Sequence, residues 1–325
     1  MTTYRRVGKS GLTVSTVGLG CNNLGRANTA TESQDATDAV VNAAIDSGIT
    51  LFDVADNYGR EPGLSETMLG KALGSRRGDV VVATKFGMDA KGANGPDFGA
   101  RGSRRYIIQS VEASLRRLGT DWIDLYQFHT PDPLTPIDET LAALDTLVRS
   151  GKVRYIGHSN RSGWQIAQAE YVARELGTAR FISSQNHYNL LDRRAELEVT
   201  PAAEEFGLGV LPYFPLANGL LTGKYSPGHA PEGSRLSHTR TNMVDDADWD
   251  QLGRYSGFAK ERGLTEIEVA FSWLAAQPSV ASVIAGATRP EQVRQNAQAA
   301  DWVPTPEDLA ALDGIFPAVP KVALF

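Results

Sequence analysis

Eight short apolar runs recur along this chain, and a helical stretch follows each of them. The runs predict strands at 16–20, 50–55, 80–85, 123–129, 153–157, 181–185, 209–214 and 280–285. Helices are expected at 31–47, 65–73, 103–118, 137–149, 164–176, 193–206, 249–262, 266–276, 290–299 and 306–315. The first carries Ala36, Ala39, Val40, Ala43 and Ala44 at helical spacing, and Gly48 stops it. Regular alternation of this kind demands crossover connections, so the strands run parallel. Eight units over 325 residues predict closure into a barrel. The competing open sheet would carry Gly-x-Gly-x-x-Gly after its first strand. That place reads Gly18-Leu19-Gly20-Cys21-Asn22-Asn23-Leu24-Gly25, which does not match.

The expected fold is therefore a (β/α)8 TIM barrel, read as a single domain over 1–325. An N-terminal β-hairpin is expected over 4–14, around Gly8-Lys9-Ser10-Gly11, and extra helices at the C-terminal end. Two stretches, 86–102 and 216–248, lack periodicity. Loops of that length in a compact domain are usually functional, and both leave the carboxyl ends of predicted strands.

Composition narrows the function class. A formal net charge of −6 argues against a nucleic-acid surface, though not against a local basic pocket for a phosphate. The one cysteine, Cys21, cannot form an internal disulfide, which suits a reducing compartment and a cytoplasmic location. No apolar run follows Met1, so no signal peptide is expected. No stretch of about 18 apolar residues offers a membrane span. The five histidines are scattered without a His-x-x-x-His pair, so no metal site is expected.

The chemistry gathers at strand ends. Leu51-Phe52-Asp53-Val54-Ala55-Asp56-Asn57-Tyr58-Gly59 runs from a strand into a polar turn. The run 80–85 ends in Lys85, and the run 123–129 ends in His129. A parallel barrel brings the carboxyl ends of its strands to one face, which carries the active site. Asp53, Tyr58, Lys85 and His129 are thus expected to converge. A tyrosine ordinarily titrates near about 10. An adjacent Lys85 ammonium would favour the phenolate and make Tyr58 a tuned acid, with Asp53 keeping the lysine charged. His129 would orient the same substrate oxygen. Each residue alone has an ordinary structural explanation; their joint placement on one face does not. The set suits reduction of a carbonyl.

These residues also resemble a known family. Tyr4-Arg5-Arg6-Val7-Gly8-Lys9-Ser10-Gly11-Leu12, Phe52 to Gly59, Ala83-Thr84-Lys85, Ile123 to His129, Ile156-Gly157-His158-Ser159-Asn160 and Gly219-Leu220-Leu221-Thr222-Gly223-Lys224 resemble the aldo-keto reductases over nearly the whole length. Pro131-Asp132-Pro133-Leu134-Thr135-Pro136-Ile137 is similar to the branch of bacterial reductases and potassium-channel β subunits. The resemblance implies the same tetrad and a nicotinamide cofactor, NADP(H) ahead of NAD(H), lying across the barrel mouth. It implies that Ser159, Asn160 and Gln185 hold the carboxamide and that Tyr213 stacks on the nicotinamide. Phe214, Pro215, Leu216, Gly219, Leu220 and Lys224 would wrap the pyrophosphate. Gly286, Thr288, Arg289, Gln292, Gln295 and Asn296 would form the adenine end. Gly20 and Cys21 fall on the nicotinamide side, and Leu24 and Phe86 are expected to touch substrate.

The sequence departs from the family in ways that weigh on cofactor choice. Phe214 stands where a serine is usual, Ala285 where a proline is, and Gln295 where many relatives have Glu. No lysine lies near Gly286 and no arginine stands at Gln292. Four functional readings stay open. They are reduction of a small-molecule carbonyl, oxidation of a sugar or alcohol at the same site, slow redox reporting by a regulatory subunit, and Schiff-base chemistry on Lys85. A monomer and a homo-oligomer are equally compatible with the sequence.

Overall fold

The chain begins with an antiparallel hairpin, β1 (Tyr4–Arg6) against β2 (Thr13–Ser15). The structure, a computed structural model, describes residues 3–320. The hairpin turn holds Gly8 at φ 58°, where a Cβ would stand 2.2 Å from the Gly207 carbonyl oxygen. Only glycine permits that approach, and it lets the Lys9 N–H donate to Gly207 at 2.9 Å. Val7 and Val14 are thereby pressed against Leu51, Ala83, Leu125 and Leu211 inside the barrel. The hairpin plugs one end and leaves the chemistry to the other.

Eight parallel strands follow: β3 (Val17–Gly20), β4 (Leu51–Asp53), β5 (Val81–Phe86), β6 (Ile123–Phe128), β7 (Val153–Ser159), β8 (Phe181–Gln185), β9 (Gly209–Val210) and β10 (Val283–Gly286). They pair in sequence order, with β10 beside β3. Bonds from Val210 N–H to Ser279 (2.7 Å) and from Ala281 N–H to Val210 (2.9 Å) close the circle. This is the expected (β/α)8 barrel.

The helical layer comprises α1 (Gln34–Asp46), α2 (Leu64–Leu73), α3 (Arg104–Leu118), α4 (Ile137–Arg149), α5 (Gly163–Leu176), α6 (Ala195–Phe206), α7 (Asn242–Asp245), α8 (Trp249–Glu261), α9 (Glu266–Ala275), α10 (Pro290–Gln298) and α11 (Pro306–Ile315). Local chemistry sets their ends. Ser33 and Ser103 accept first-turn N–H groups, and Thr265 and Thr305 close capping boxes. Gly119, Gly177 and Gly207 terminate helices in the left-handed region.

Three differences from the sequence reading concern the far side of the mouth. Regular pairing of the seventh strand covers only Gly209–Val210, although Leu211 and Tyr213 N–H still donate to the Ser184 and Asn186 carbonyls. The eighth runs over Val283–Gly286, while Val280 turns aside to bridge Val210. The stretch 216–248 is folded into 3-10 turns at Ala217–Thr222 and Arg235–Ser237 and the single-turn α7. Among the described residues no helix is long and apolar enough to cross a membrane.

Candidate active site

Parallel register places the first three site residues. Asp53 ends β4, and Lys85, on β5, lies beside Gln127 of β6. Side chains alternate along a strand, so Lys85 and Gln127 point into the barrel while Phe86 and Phe128 point out to the helices. Lys85 is fully buried, and its Nζ donates to Asp53 Oδ2 at 2.7 Å and to the Val54 carbonyl at 3.0 Å. The Tyr58 hydroxyl stands 3.5 Å from the same nitrogen. Asp53 uses its other oxygen to accept from Gln127 (3.3 Å) and Gln185 (2.8 Å). Gly157 makes room for this. A Cβ there would meet Ser183 Oγ at 2.0 Å and press on Gln127.

His129 follows β6, with its ring 6.0 Å from that of Tyr58 and steeply inclined to it. Its backbone carbonyl accepts from Asn160 Nδ2 at 2.9 Å. Asn160 holds a left-handed φ of 58° and accepts at Oδ1 from the Tyr213 hydroxyl at 2.8 Å. Ser159 Oγ donates to the Gln185 carbonyl at 2.7 Å. All four tetrad residues, with Ser159, Asn160, Gln185 and Tyr213, therefore form one connected group.

The electrostatics correct one expectation. Burial pushes the Tyr58 phenol upward, and the opposing pull of Lys85 is weaker. The sequence reading weighed the ammonium and could not weigh the burial. Tyr58 is thus protonated at neutral pH. Burial also works against the Lys85 charge, but Asp53 and then Tyr58 outweigh it, and the lysine pKa is raised. An ammonium clasped in this way has no free lone pair, so Lys85 is unsuited to Schiff-base chemistry. Burial, and then Lys85, hold His129 well below the ordinary histidine range. It is neutral, and its buried Nδ1 has no partner among the described residues.

The remaining predicted residues divide by place. Three consecutive residues, Ala217, Asn218 and Gly219, have φ of 47°, 59° and 107°, a strained turn of the kind kept at ligand sites. Phe214, also left-handed at 55°, has the guanidinium groups of Arg235 and Arg240 at 5.2 and 5.5 Å from its ring. Burial first, and then the charges of Arg26 and Arg240, depress the Arg235 pKa. Pro215 and Leu220 are buried, Leu216 is half-buried and Lys224 is exposed beside Tyr225. At the adenine end Gly286 and Arg289 are exposed, and Gln292 accepts from Thr288 N–H at 2.8 Å. Gln295 is exposed and Asn296 buried.

Four residues sit deeper than expected. Gly20 and Cys21 are buried at the end of β3, and burial drives the Cys21 thiol far upward, leaving it inert. Leu24 and Phe86, expected against substrate, lie in the core at 1% and 0% exposure. Phe86 stacks on Tyr126 at 4.7 Å and on Phe128 at 5.0 Å. The strand parity that sends Lys85 inward could have shown this. The sequence reading also missed Gln127 as a partner of Asp53, which the same parity predicts. It missed Arg26, Arg235 and Arg240, which lie in aperiodic loops and carry no local signal.

A family model for the aldo/keto reductase family matches residues 16–316. The chain belongs to the aldo/keto reductase family, a family of oxidoreductases. It is 39% identical to the uncharacterized oxidoreductase YrpG of Bacillus subtilis over 97% of this chain and 96% of that protein. It is 35% identical to a probable voltage-gated potassium channel subunit beta of Oryza sativa over 98% of both chains. It is 37% identical to an L-glyceraldehyde 3-phosphate reductase of Escherichia coli O157:H7 over 95% of this chain and 91% of that one.

Proposed function

We propose that this protein reduces an aldehyde or ketone to an alcohol with a nicotinamide cofactor, Tyr58 giving the proton. The observation that carries this is the position of Lys85 Nζ, 2.7 Å from Asp53 and 3.5 Å from the Tyr58 hydroxyl. When bound, the nicotinamide supplies hydride to the carbonyl carbon. Tyr58 donates its proton to the carbonyl oxygen, and the ammonium beside it stabilises the phenolate left behind. Asp53 keeps that ammonium charged, and the two glutamine amides keep Asp53 in place. Neutral His129 donates its ring N–H to the same oxygen and fixes its direction.

The residues present fit a dinucleotide. Asn160 and Tyr213 lie beside the tetrad to receive the nicotinamide, and the left-handed turn 217–219 allows backbone to approach a pyrophosphate closely. Arg26, Arg235 and Arg240 gather without an ion pair among the described residues, which suits phosphate. We assign Arg235 to the cofactor phosphates and favour NADPH, whose additional phosphate gives a cluster of three cations more charge to meet.

The raised Tyr58 pKa favours reduction over oxidation, because oxidation needs the phenolate as base. Carbonyl reduction should stay level across neutral pH, and alcohol oxidation should climb only as pH rises beyond the ordinary tyrosine range. A flat oxidation profile would contradict the assignment. Replacing Tyr58 with Phe should lower kcat on an aldehyde panel by about 10²- to 10⁴-fold, with NADPH still quenching tryptophan fluorescence. Unchanged turnover would remove Tyr58 as the acid. Arg235→Gln should weaken NADPH by about tenfold to a hundredfold, as expected for a lost charged hydrogen bond. An equal loss for NADH would point to the pyrophosphate, and no loss for either would remove Arg235 from the site.

A further inference from the structure

Arg161 is a buried cation with nothing to answer it. It follows Asn160 just beyond β7 and is 4% exposed. It makes no ion pair and no side-chain hydrogen bond among the described residues, and its Nε is enclosed without a partner. Its guanidinium lies 5.3 Å from the Phe128 ring and 5.9 Å from the Phe181 ring. His158, fully buried nearby with neither ring nitrogen partnered, carries no countercharge, being held neutral by burial and by Arg161 itself. Burial alone brings the Arg161 pKa down to about 10. The group thus stays charged at neutral pH.

Arg161 lines a cavity of about 420 Å³ between the loop after β6 and the start of α5. That is within the range of small-molecule sites, roughly 300–1,000 Å³. Phe128, Pro131, Pro136 and Trp164 give it apolar walls, and Gln165 and Gln168 give it amides. Trp164 is 63% exposed, an uncovered aromatic at the rim. The one carboxylate in the lining, Asp132, is engaged by its own surroundings. It accepts from Gly102 N–H (2.7 Å), Leu134 N–H (2.9 Å) and Thr135 Oγ1 (2.7 Å).

We propose that this cavity binds a small organic carboxylate with an apolar body. A single guanidinium presents two parallel N–H groups, the match for one carboxylate. A phosphate dianion would call for a second cation, and none lines the cavity. The proline and tryptophan walls take the apolar body. The site is separate from the catalytic cluster but touches it at two points. Phe128 is followed directly by His129, and Arg161 follows the Asn160 that holds the His129 carbonyl.

Calorimetric titration of the whole protein with sodium benzoate tests this, with benzamide as the uncharged isostere. The expected result is saturable one-to-one binding of benzoate that persists in saturating NADPH. Benzamide should bind at least about tenfold more weakly, as loss of a charged hydrogen bond requires. Arg161→Met should cost benzoate a similar factor. Trp164→Ala, a change at an exposed ring, should weaken benzoate and benzamide together. Equal binding of the two probes would reduce the cavity to an apolar surface and overturn the proposal. So would displacement of benzoate by NADPH, full-strength binding to Arg161→Met, or no saturable binding. The benzamide arm needs no variant, so a poorly folding Arg161→Met leaves the test standing.

Discussion

Lys85 and Arg161 are both buried cations at the same mouth, 0% and 4% exposed, and the protein treats them in opposite ways. Lys85 has a carboxylate at 2.7 Å, a carbonyl at 3.0 Å and a phenol at 3.5 Å. Arg161 has two aromatic faces and, among the described residues, no acceptor. Burying a charge is costly unless it is paired. In the first case the pairing is internal and the charge is available to tune a proton donor. In the second the partner has to come from outside. The contrast separates a charge that we propose tunes a proton donor from one that we propose meets a ligand.

The sharpest way to break this contrast is to remove Lys85. Lys85→Met leaves the Asp53 carboxylate buried with only the Gln127 and Gln185 amides. The expected cost is about 3–5 kcal/mol, as for other buried pairs that lose one partner, together with loss of turnover. Urea unfolding reads the first effect and NADPH oxidation the second. An unchanged midpoint would show that Asp53 does not depend on its partner, and the distinction between the two cations would fall.

Asp56 lies between these extremes. One oxygen accepts from Asn94 Nδ2 at 2.6 Å, and the other is buried without a partner among the described residues. Burial, and then the nearby Glu66, push its carboxyl up to about 8, against the pull of Asn94, Arg117 and Lys85. The folded state therefore holds a proton that the unfolded chain releases near pH 4. This contribution to stability is whole below the unfolded pKa. It falls away as pH rises from about 4 towards 8. Asp56→Asn should flatten that slope in a series of melting temperatures. A wild-type slope surviving in the variant would place the titration on another group.

Much of this was legible in the chain. Short apolar runs, helical spacing and helix-stopping glycines gave ten of the helices and all eight barrel strands to within a few residues. Strand ends alone gathered Asp53, Tyr58, Lys85 and His129. What escaped depends on depth. The sign of the Tyr58 shift turns on how much water the fold excludes, which no spacing reveals. The arginines around Phe214 arrive on an aperiodic stretch folded into 3-10 turns, so their meeting is a tertiary fact. Arg161 follows a residue in the left-handed region, and that turn decides that it buries itself. The misplacement of Phe86 was avoidable, since parity with Lys85 already assigns it to the helical layer.

The smallest expected effect is also the one that best sharpens the comparison. Arg161→Met removes a buried charge that has no oppositely charged partner to abandon. It loses two contacts with aromatic faces, each worth on the order of 1 kcal/mol. It gains back the desolvation of a guanidinium, and replacing buried charges by apolar groups is often neutral or stabilising. The two nearly cancel, so the urea midpoint of Arg161→Met should lie close to wild type, where that of Lys85→Met collapses. Added benzoate should raise the wild-type midpoint more than the variant's, because a ligand stabilises the folded state in step with its affinity for it. A loss of several kcal/mol in Arg161→Met without ligand would make Arg161 a structural cation like Lys85, and the cavity it lines would need no ligand.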